Sequence, residues 1–337
     1  MKCCSIFAIA VLAAASAAAQ DVEITPVRRN IYLVSGAGSN ITVSVGKDGI
    51  FMVDTGTAQM ADKVLSAVQR LAQELDAVGK PILTQSRGGS GTTLSGIAKP
   101  KPIRYIANTS SAADHAGGNP KLAEAGKTFT GGNVSGDVRD PTAGAAVLSH
   151  EETLQHLTQA KLDSGGLPTE TYFGGVMKLS HFFNGEGIEL IHVPNANTDG
   201  DSLVWFRGSD VISTGDIFDF SGYPKIDLAE GGSVQGVIAG LNRTIDLMVP
   251  EFRSEGGTLV IPGHGRICDL ADIAYYRDMM TIIRDRVQDM IKRDITLAQV
   301  KAAKPTEDWD PRFGSTTGPW TTDMFVEAVY KSLTQKK

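Results

Sequence analysis

Three places in the chain set ionisable side chains just after an apolar run. They are Asp114-His115 after "RYIANT", Asp216 after "DVISTG" and His264 after "TLVIPG". Two imidazoles and two carboxylates make a nitrogen and oxygen donor set suited to Zn²⁺. The chemistry such an ion supports is activation of water and polarisation of a carbonyl or phosphoryl oxygen. Each residue alone has an ordinary reading as well. Asp114 fits a helix N-cap ahead of Ala116-Gly117-Gly118, Asp216 a turn residue after Gly215, and His264 a loop histidine between two glycines. Together, each with glycine close by, they favour the metal reading.

Positioning these groups requires strands that end at a common edge. From Val22 to Thr55 the segments "VEITPV", "NIYLVSG", "NITVSVG" and "GIFMVDTG" are rich in β-branched and aromatic residues and bounded by Gly, Asn and Asp, the pattern of successive hairpins. A helix is expected from Ala58 to Leu75, where Val64, Leu65, Val68 and Leu71 keep a helical period. The Gly, Ser and Pro-rich stretch from Asp76 to Lys101 reads as an exposed loop, and a strand resumes at "PIRYIAN". Residues Gly131 to Gly175 read as irregular, with a helix around His150 to Leu162. Strands "GIELIHVPN", "SLVWFRG", "SDVISTGD" and "GTLVIPGHG" follow, with a helix from Val234 to Leu247 before the last of them. Further helices are expected over Asp272 to Arg293 and Thr322 to Leu333. Two rounds of strands and helices fit two facing sheets with helices outside.

The 337 residues suffice for one large domain or two smaller ones. Residues 1–19 have a Lys, an apolar run and a small-residue end at Ala17-Ala18-Ala19, so they are expected to be a cleaved signal peptide that delivers the protein to the periplasm or the exterior. Removing them leaves Cys268 as the only thiol, which excludes an internal disulfide. The formal charge of −6, without a Lys/Arg cluster, argues against nucleic acid as a partner. No later run is long and apolar enough to span a bilayer, so stable membrane insertion is not expected. A small-molecule substrate is the expected partner.

The segments "GSNITVSVGKDGIFMVDTG", "NTSSAADHAGGN", "NANTDGDS", "STGDIF" and "IPGHG", in this order and at these separations, resemble the metallo-beta-lactamase superfamily over about Val22 to Asp269. The resemblance implies an α/β fold, an αββα sandwich of two mixed β-sheets flanked by helices, with residues 20–270 as the domain and 271–337 as a C-terminal helical extension packed on it. It also implies a mono- or dinuclear metal site, usually zinc, at one edge. Members typically carry His-x-His-x-Asp-His in the first motif. Here Ser110 and Ala112 stand at the two leading histidine positions and Asn197 at a third, so the first metal position is expected to be empty. Asp114, His115 and His264 match the second position, and Asp216 matches the carboxylate that often bridges both. One Zn²⁺ per chain is the expected cofactor, with Asp114 and Asp216 as catalytic groups.

The expected activity is hydrolysis of an amide, ester, thioester or lactone, a beta-lactam among the candidates. The alternative is an inactive relative that binds a ligand or keeps a structural metal. Ser110 and Asn197 are candidates to donate hydrogen bonds to a substrate oxygen. His150, His156, His181 and His192 match no ligand position and are expected to be structural, as is Cys268. Asp54 in "VDTG" is expected to shape a turn near the site, and Asp199 and Asp201 to support it from behind. The segment "WDPRFG" at 309–314 is a candidate to cover a cleft or meet a partner subunit.

Overall fold

The computed structural model describes residues 21–78, 102–127, 144–248 and 256–335. The signal-peptide expectation and most of the Gly-rich loop therefore lie outside the described residues. The first sheet runs in the order β1 (Glu23–Arg28), β2 (Ile31–Ser35), β3 (Ile41–Gly46), β4 (Gly49–Val53), β5 (Ile103–Ala107), β6 (Ala146–His150) and β7 (Glu170–Tyr172). Strands β1 to β4 form an antiparallel meander and β4 to β7 are parallel. The second sheet has β8 (Val176–Lys178), β9 (Ile188–His192), β10 (Ser202–Phe206), β11 (Val211–Asp219) and β12 (Leu259–His264), antiparallel except for β11 with β12.

Alternation of side chains along each strand builds the layers. In β4, Phe51 and Val53 face the second sheet, packing with Leu190, Val204, Phe206 and Ile261. Ile50 and Met52 face the other way, onto Val64 and Val68 of α1 (Ala61–Val78). Leu203 of β10 faces outward onto α5 (Val234–Leu247), α6 (Leu270–Lys292) and α9 (Thr322–Thr334) through Val237, Leu241, Tyr276, Ile283 and Phe325. The order helix, sheet, sheet, helix is the expected αββα sandwich.

Helices α5, α6 and α9 fall within one or two residues of their expected spans. The stretch 131–175 does not stay irregular in its described part, because it contains β6 and β7. Both lie in the parallel half of the sheet, where β6 is buried throughout and shows no polar alternation, and β7 is only three residues long. Strand β8 and the short helices α2 (Ala113–Ala116), α3 (Asn119–Glu124), α7 (Leu297–Ala302) and α8 (Asp310–Phe313) also escaped the periodicity reading, being too short to show a period. The helix after β6 is α4 (Glu151–Gln159). Among the described residues no helix is long and apolar enough to cross a membrane.

Candidate metal centre

The ends of β4, β5, β11 and β12 meet at one edge of the sandwich and bring Asp54, Asp114, His115, Asp216 and His264 together. The Asp114-His115 pair sits in α2, the single turn after β5. Asp114 is not the N-cap, which is Ala112 with no side-chain bond; its carboxylate turns instead to His264. Two glycines make this convergence possible. A Cβ on Gly263 would lie 2.5 Å from Asp216 Oδ1, and one on Gly215, whose φ is +52°, would lie 2.3 Å from Thr109 Oγ1. The loop after β2 ties both sides: Ser39 Oγ donates to the Asp114 carbonyl at 2.6 Å, and the Asn40 amide donates to Pro262 and Gly265 carbonyls at 3.0 and 2.9 Å.

His115 is fully buried between two carboxylates. Its Nδ1 donates to Asp54 Oδ2 at 2.7 Å, and its Nε2 lies 3.0 Å from Asp216 Oδ1. Asp54 is itself fixed by the Thr109 backbone N–H at 2.8 Å and the Thr109 hydroxyl at 2.6 Å. His264 Nε2 lies 3.3 Å from Asp114 Oδ2 and 3.4 Å from Asp216 Oδ1. One donor atom from each of Asp114, His115 and His264 falls within a 4.8 Å cluster. Tetrahedral coordination at 2.0–2.1 Å spaces neighbouring donor atoms by about 3.3–3.4 Å, so these separations fit a zinc-sized ion. The bond from His115 Nδ1 to Asp54 directs the other nitrogen, Nε2, into the cluster, the usual arrangement for a ligating histidine.

The four groups shift one another's titration. Burial opposes charge on His115, yet Asp216 and Asp54 lift its pKa well above the ordinary value. Burial likewise opposes charge on His264, and its bonds to Asp114 and Asp216 raise it to about 10. Asp114 is lowered by its hydrogen bond to His264. Burial pushes Asp216 up, but His115 and His264 outweigh it and hold the carboxyl below the usual carboxylate range. Two carboxylates facing two imidazoles thus favour positive charge between them, and a divalent ion binding there would displace protons.

Asn197 Nδ2 points to Asp216 Oδ2 at 3.4 Å, while its Oδ1 is buried without a hydrogen-bond partner. Ser110 is buried and its Oγ accepts from the Ala112 N–H at 3.3 Å. Both candidate substrate donors therefore turn toward the protein. Cys268 is buried outside the cluster, its thiol donating to the Arg266 carbonyl at 3.3 Å.

Three of the remaining histidines, His150, His156 and His192, form a second grouping beside the loop that carries Asn197. His150 stacks on His192 at 3.6 Å, His192 Nε2 donates to the Asp199 carbonyl at 2.7 Å, and His156 Nε2 meets Asp199 Oδ1 at 2.6 Å. Asp201 closes the same loop by accepting from the Thr198 N–H and hydroxyl, both at 2.8 Å. His181 instead lines a cavity of about 490 Å³ with Lys178, Phe182, Glu189, Trp205 and Arg207. That cavity shares no residue with the carboxylate and imidazole cluster. The link from Asp54 to His115 was missed in sequence because 61 residues separate the pair; the positive φ of Asp54, +63°, gives no sequence signal beyond the Thr-Gly that follows.

A sequence profile described as "Metallo-beta-lactamase superfamily" matches residues 34–264. The chain belongs to the metallo-beta-lactamase superfamily. Among solved structures it is similar to DIM-1 metallo-beta-lactamase, with a TM-score of 0.51, 16% identity, and coverage of 77% of this chain and 97% of that one. A metallo-beta-lactamase from Pontibacter korlensis gives 0.51 at 14% identity, covering 77% and 99%. The sec-alkylsulfatase Pisa1 from Pseudomonas sp. gives 0.60 at 16% identity, covering 92% of this chain and 50% of that one. These similarities carry the fold. No curated protein sequence matches the chain.

Proposed function

We propose that the protein is an exported, mononuclear metal-dependent hydrolase of small molecules carrying an ester, thioester, lactone or amide bond. The observation that carries this reading is the convergence of His115 Nε2, His264 Nε2, Asp114 Oδ2 and Asp216 Oδ1, with three of the separations between 3.0 and 3.4 Å. Asp114, His115 and His264 would hold the ion and leave a fourth position for water beside Asp216, and zinc suits their nitrogen and oxygen donors. A bound ion of this kind lowers the pKa of water toward about 7 and polarises a carbonyl oxygen.

The protein's own groups divide the remaining work. His115 and Asp216 form the floor, with side chains 0% and 10% exposed, and Asp114 and His264 line the mouth at 37% and 25%. Asp216 orients the attacking water. As the water oxygen bonds to the carbonyl carbon, its proton passes to the Asp114 carboxylate, which returns it to the leaving oxygen, sulfur or nitrogen as the acyl bond breaks. Export rests on residues 1–19 alone, and the β-lactamase and sulfatase relatives leave the substrate open.

The test begins with metal content of the mature chain, purified without chelator, beside His264→Ala and Asp114→Ala. About one ion per chain, lost in both variants together with turnover of an ester, thioester, lactone and β-lactam panel, is the expected result. No ion even after zinc is supplied would overturn the mechanism. An ion with no turnover of any panel member would favour the ligand-binding relative.

A further inference from the structure

The second sheet ends in β8, and the outer edge of that strand is open. The His192 N–H donates to the Gly175 carbonyl and the Leu179 N–H to the Ile188 carbonyl, both at 3.0 Å, so Gly175, Met177 and Leu179 turn their backbone groups toward β9. Strand alternation turns those of Val176 and Lys178 away from it. Among the described residues no strand pairs with that side. We propose that a second copy of this chain does: β8 pairs antiparallel with β8 of the second copy about a two-fold axis at Met177, joining the two second sheets into one.

The edge lacks the guards that keep strands apart. At other ends of the sheets, β1 carries Pro26 and a bulge, and Val260 of β12 is bridged by Cys268. Strand β8 has neither proline nor bulge. Its one charge, Lys178, is tied back to Glu189 Oε1 on β9 at 3.1 Å, an oxygen that also takes Arg207 at 3.0 Å. That pairing holds the ammonium over its own sheet, where it repels a second strand less. The segment at 309–314 offers no such edge, because Phe313 anchors it in the core beneath the helices.

An axis at Met177 makes the strand complementary to itself. Val176 of each copy falls opposite Lys178 of the other, and these are the residues whose N–H and C=O groups are free to be exchanged. The flanks match too. Phe173 and Phe182 are the two most exposed large apolar side chains among the described residues, at 83% and 74%. Phe173 stands four residues before Met177 and Phe182 five after, so the axis carries Phe173 of one copy to the His181-Phe182 segment of the other. That segment lines the cavity of about 490 Å³, together with Lys178, Ser180 and Trp205. A cavity of about 150 Å³ already admits benzene, so a phenyl ring has room there. Gly174 and Gly175, with nothing within 4 Å of a Cβ at either, leave the turn that carries Phe173 free to approach. A foreign strand would gain the backbone bonds alone, whereas a second copy also brings a ring for each cavity and takes exposed apolar surface out of water.

Sedimentation equilibrium of the mature chain from about 1 to 100 µM is the test, and a reversible dimer is the expected result. Val176→Pro removes an N–H that makes no bond within the chain, and Phe173→Ser removes the ring. Each should raise the dimer dissociation constant at least about tenfold with the unfolding midpoint unchanged. Charge reads the register: Val176→Lys sets a second ammonium against Lys178 of the other copy and should dissociate the dimer, whereas Val176→Glu should keep it. Ile282→Ser, at an exposed apolar position of α6, should change nothing. A dimer indifferent to Val176→Pro, or equal loss with Val176→Lys and Val176→Glu, would overturn the proposal. So would a wild type that stays monomeric throughout, which would leave the edge to a strand of another protein. None of these outcomes involves the metal centre, so the hydrolase reading stands or falls separately.

Discussion

At the residue scale the decisive side chain is His115, whose two nitrogens face different tasks. Nδ1 is committed to Asp54, and Nε2 to the cluster. Asp54→Asn keeps a residue that tolerates the left-handed backbone and can still accept one hydrogen bond, but it removes the negative charge behind the ring. Zinc affinity, read by competition with a chromophoric chelator, should fall about 10 to 100-fold with far-ultraviolet circular dichroism unchanged. An unchanged affinity would show that His115 needs no orientation from Asp54. Legibility in sequence stops at the same point. Asp114, His115, Asp216 and His264 stood out because each follows an apolar run, whereas Asp54 ends an equally apolar strand and reads as a turn residue, since its partner is remote in the chain.

At the element scale the strand ends and their loops set the geometry. Gly263 lets β12 approach Asp216 closely enough for His264 to reach it, so Gly263→Ala pushes β12 away from β11 at the site. Metal content should drop below half an ion per chain while the unfolding midpoint shifts by only a few degrees; full metal content would contradict this. The loop between β9 and β10 carries a titrating group. Burial raises the Asp201 pKa to about 7, against about 3.8 in the unfolded chain. Between those values the native protein holds a proton that the unfolded chain has released. Stability from this group is therefore fullest below about pH 4, declines as pH rises toward about 7, and is level above that. Asp201→Asn, neutral throughout, should flatten that part of the stability profile in urea titrations from pH 5 to 8, and an identical slope in the variant would exclude Asp201 as its source. Strands β6 and β7 show why elements were less legible than residues: β6 is buried on both faces and β7 is three residues long, so neither carries the period that sequence reading depends on.

At the scale of the whole molecule, the second sheet and the three helices beyond it share one apolar core. Ile273, Tyr276, Met280, Ile283 and Val287 of α6 are each fully buried against residues of the second sheet, α5 and α9. A chain ending at residue 270 would expose that face, and each large buried side chain left in water forgoes roughly 1.5–3 kcal/mol. Such a truncation is expected to be insoluble or to bind a hydrophobic dye in the manner of a loosened core; a soluble, cooperatively unfolding product would show that residues 271–337 are an accessory. The sandwich itself was readable because hairpins and helices come in two rounds, and the profile over 34–264 accounts for the first round and most of the second.

The donor atoms of the metal centre come from opposite ends of that order. Asp114 and His115 follow a strand of the first sheet, while Asp216 and His264 lie on strands of the second, and His264 closes the last of them. A partly made chain holds two of these groups and no cavity to aim them into. An ion held by all of these groups would therefore enter late, after β12 has paired with β11, from whatever surroundings the chain occupies at that moment. Which metal such a site takes would then depend on the compartment in which folding finishes rather than on the one in which the chain is made.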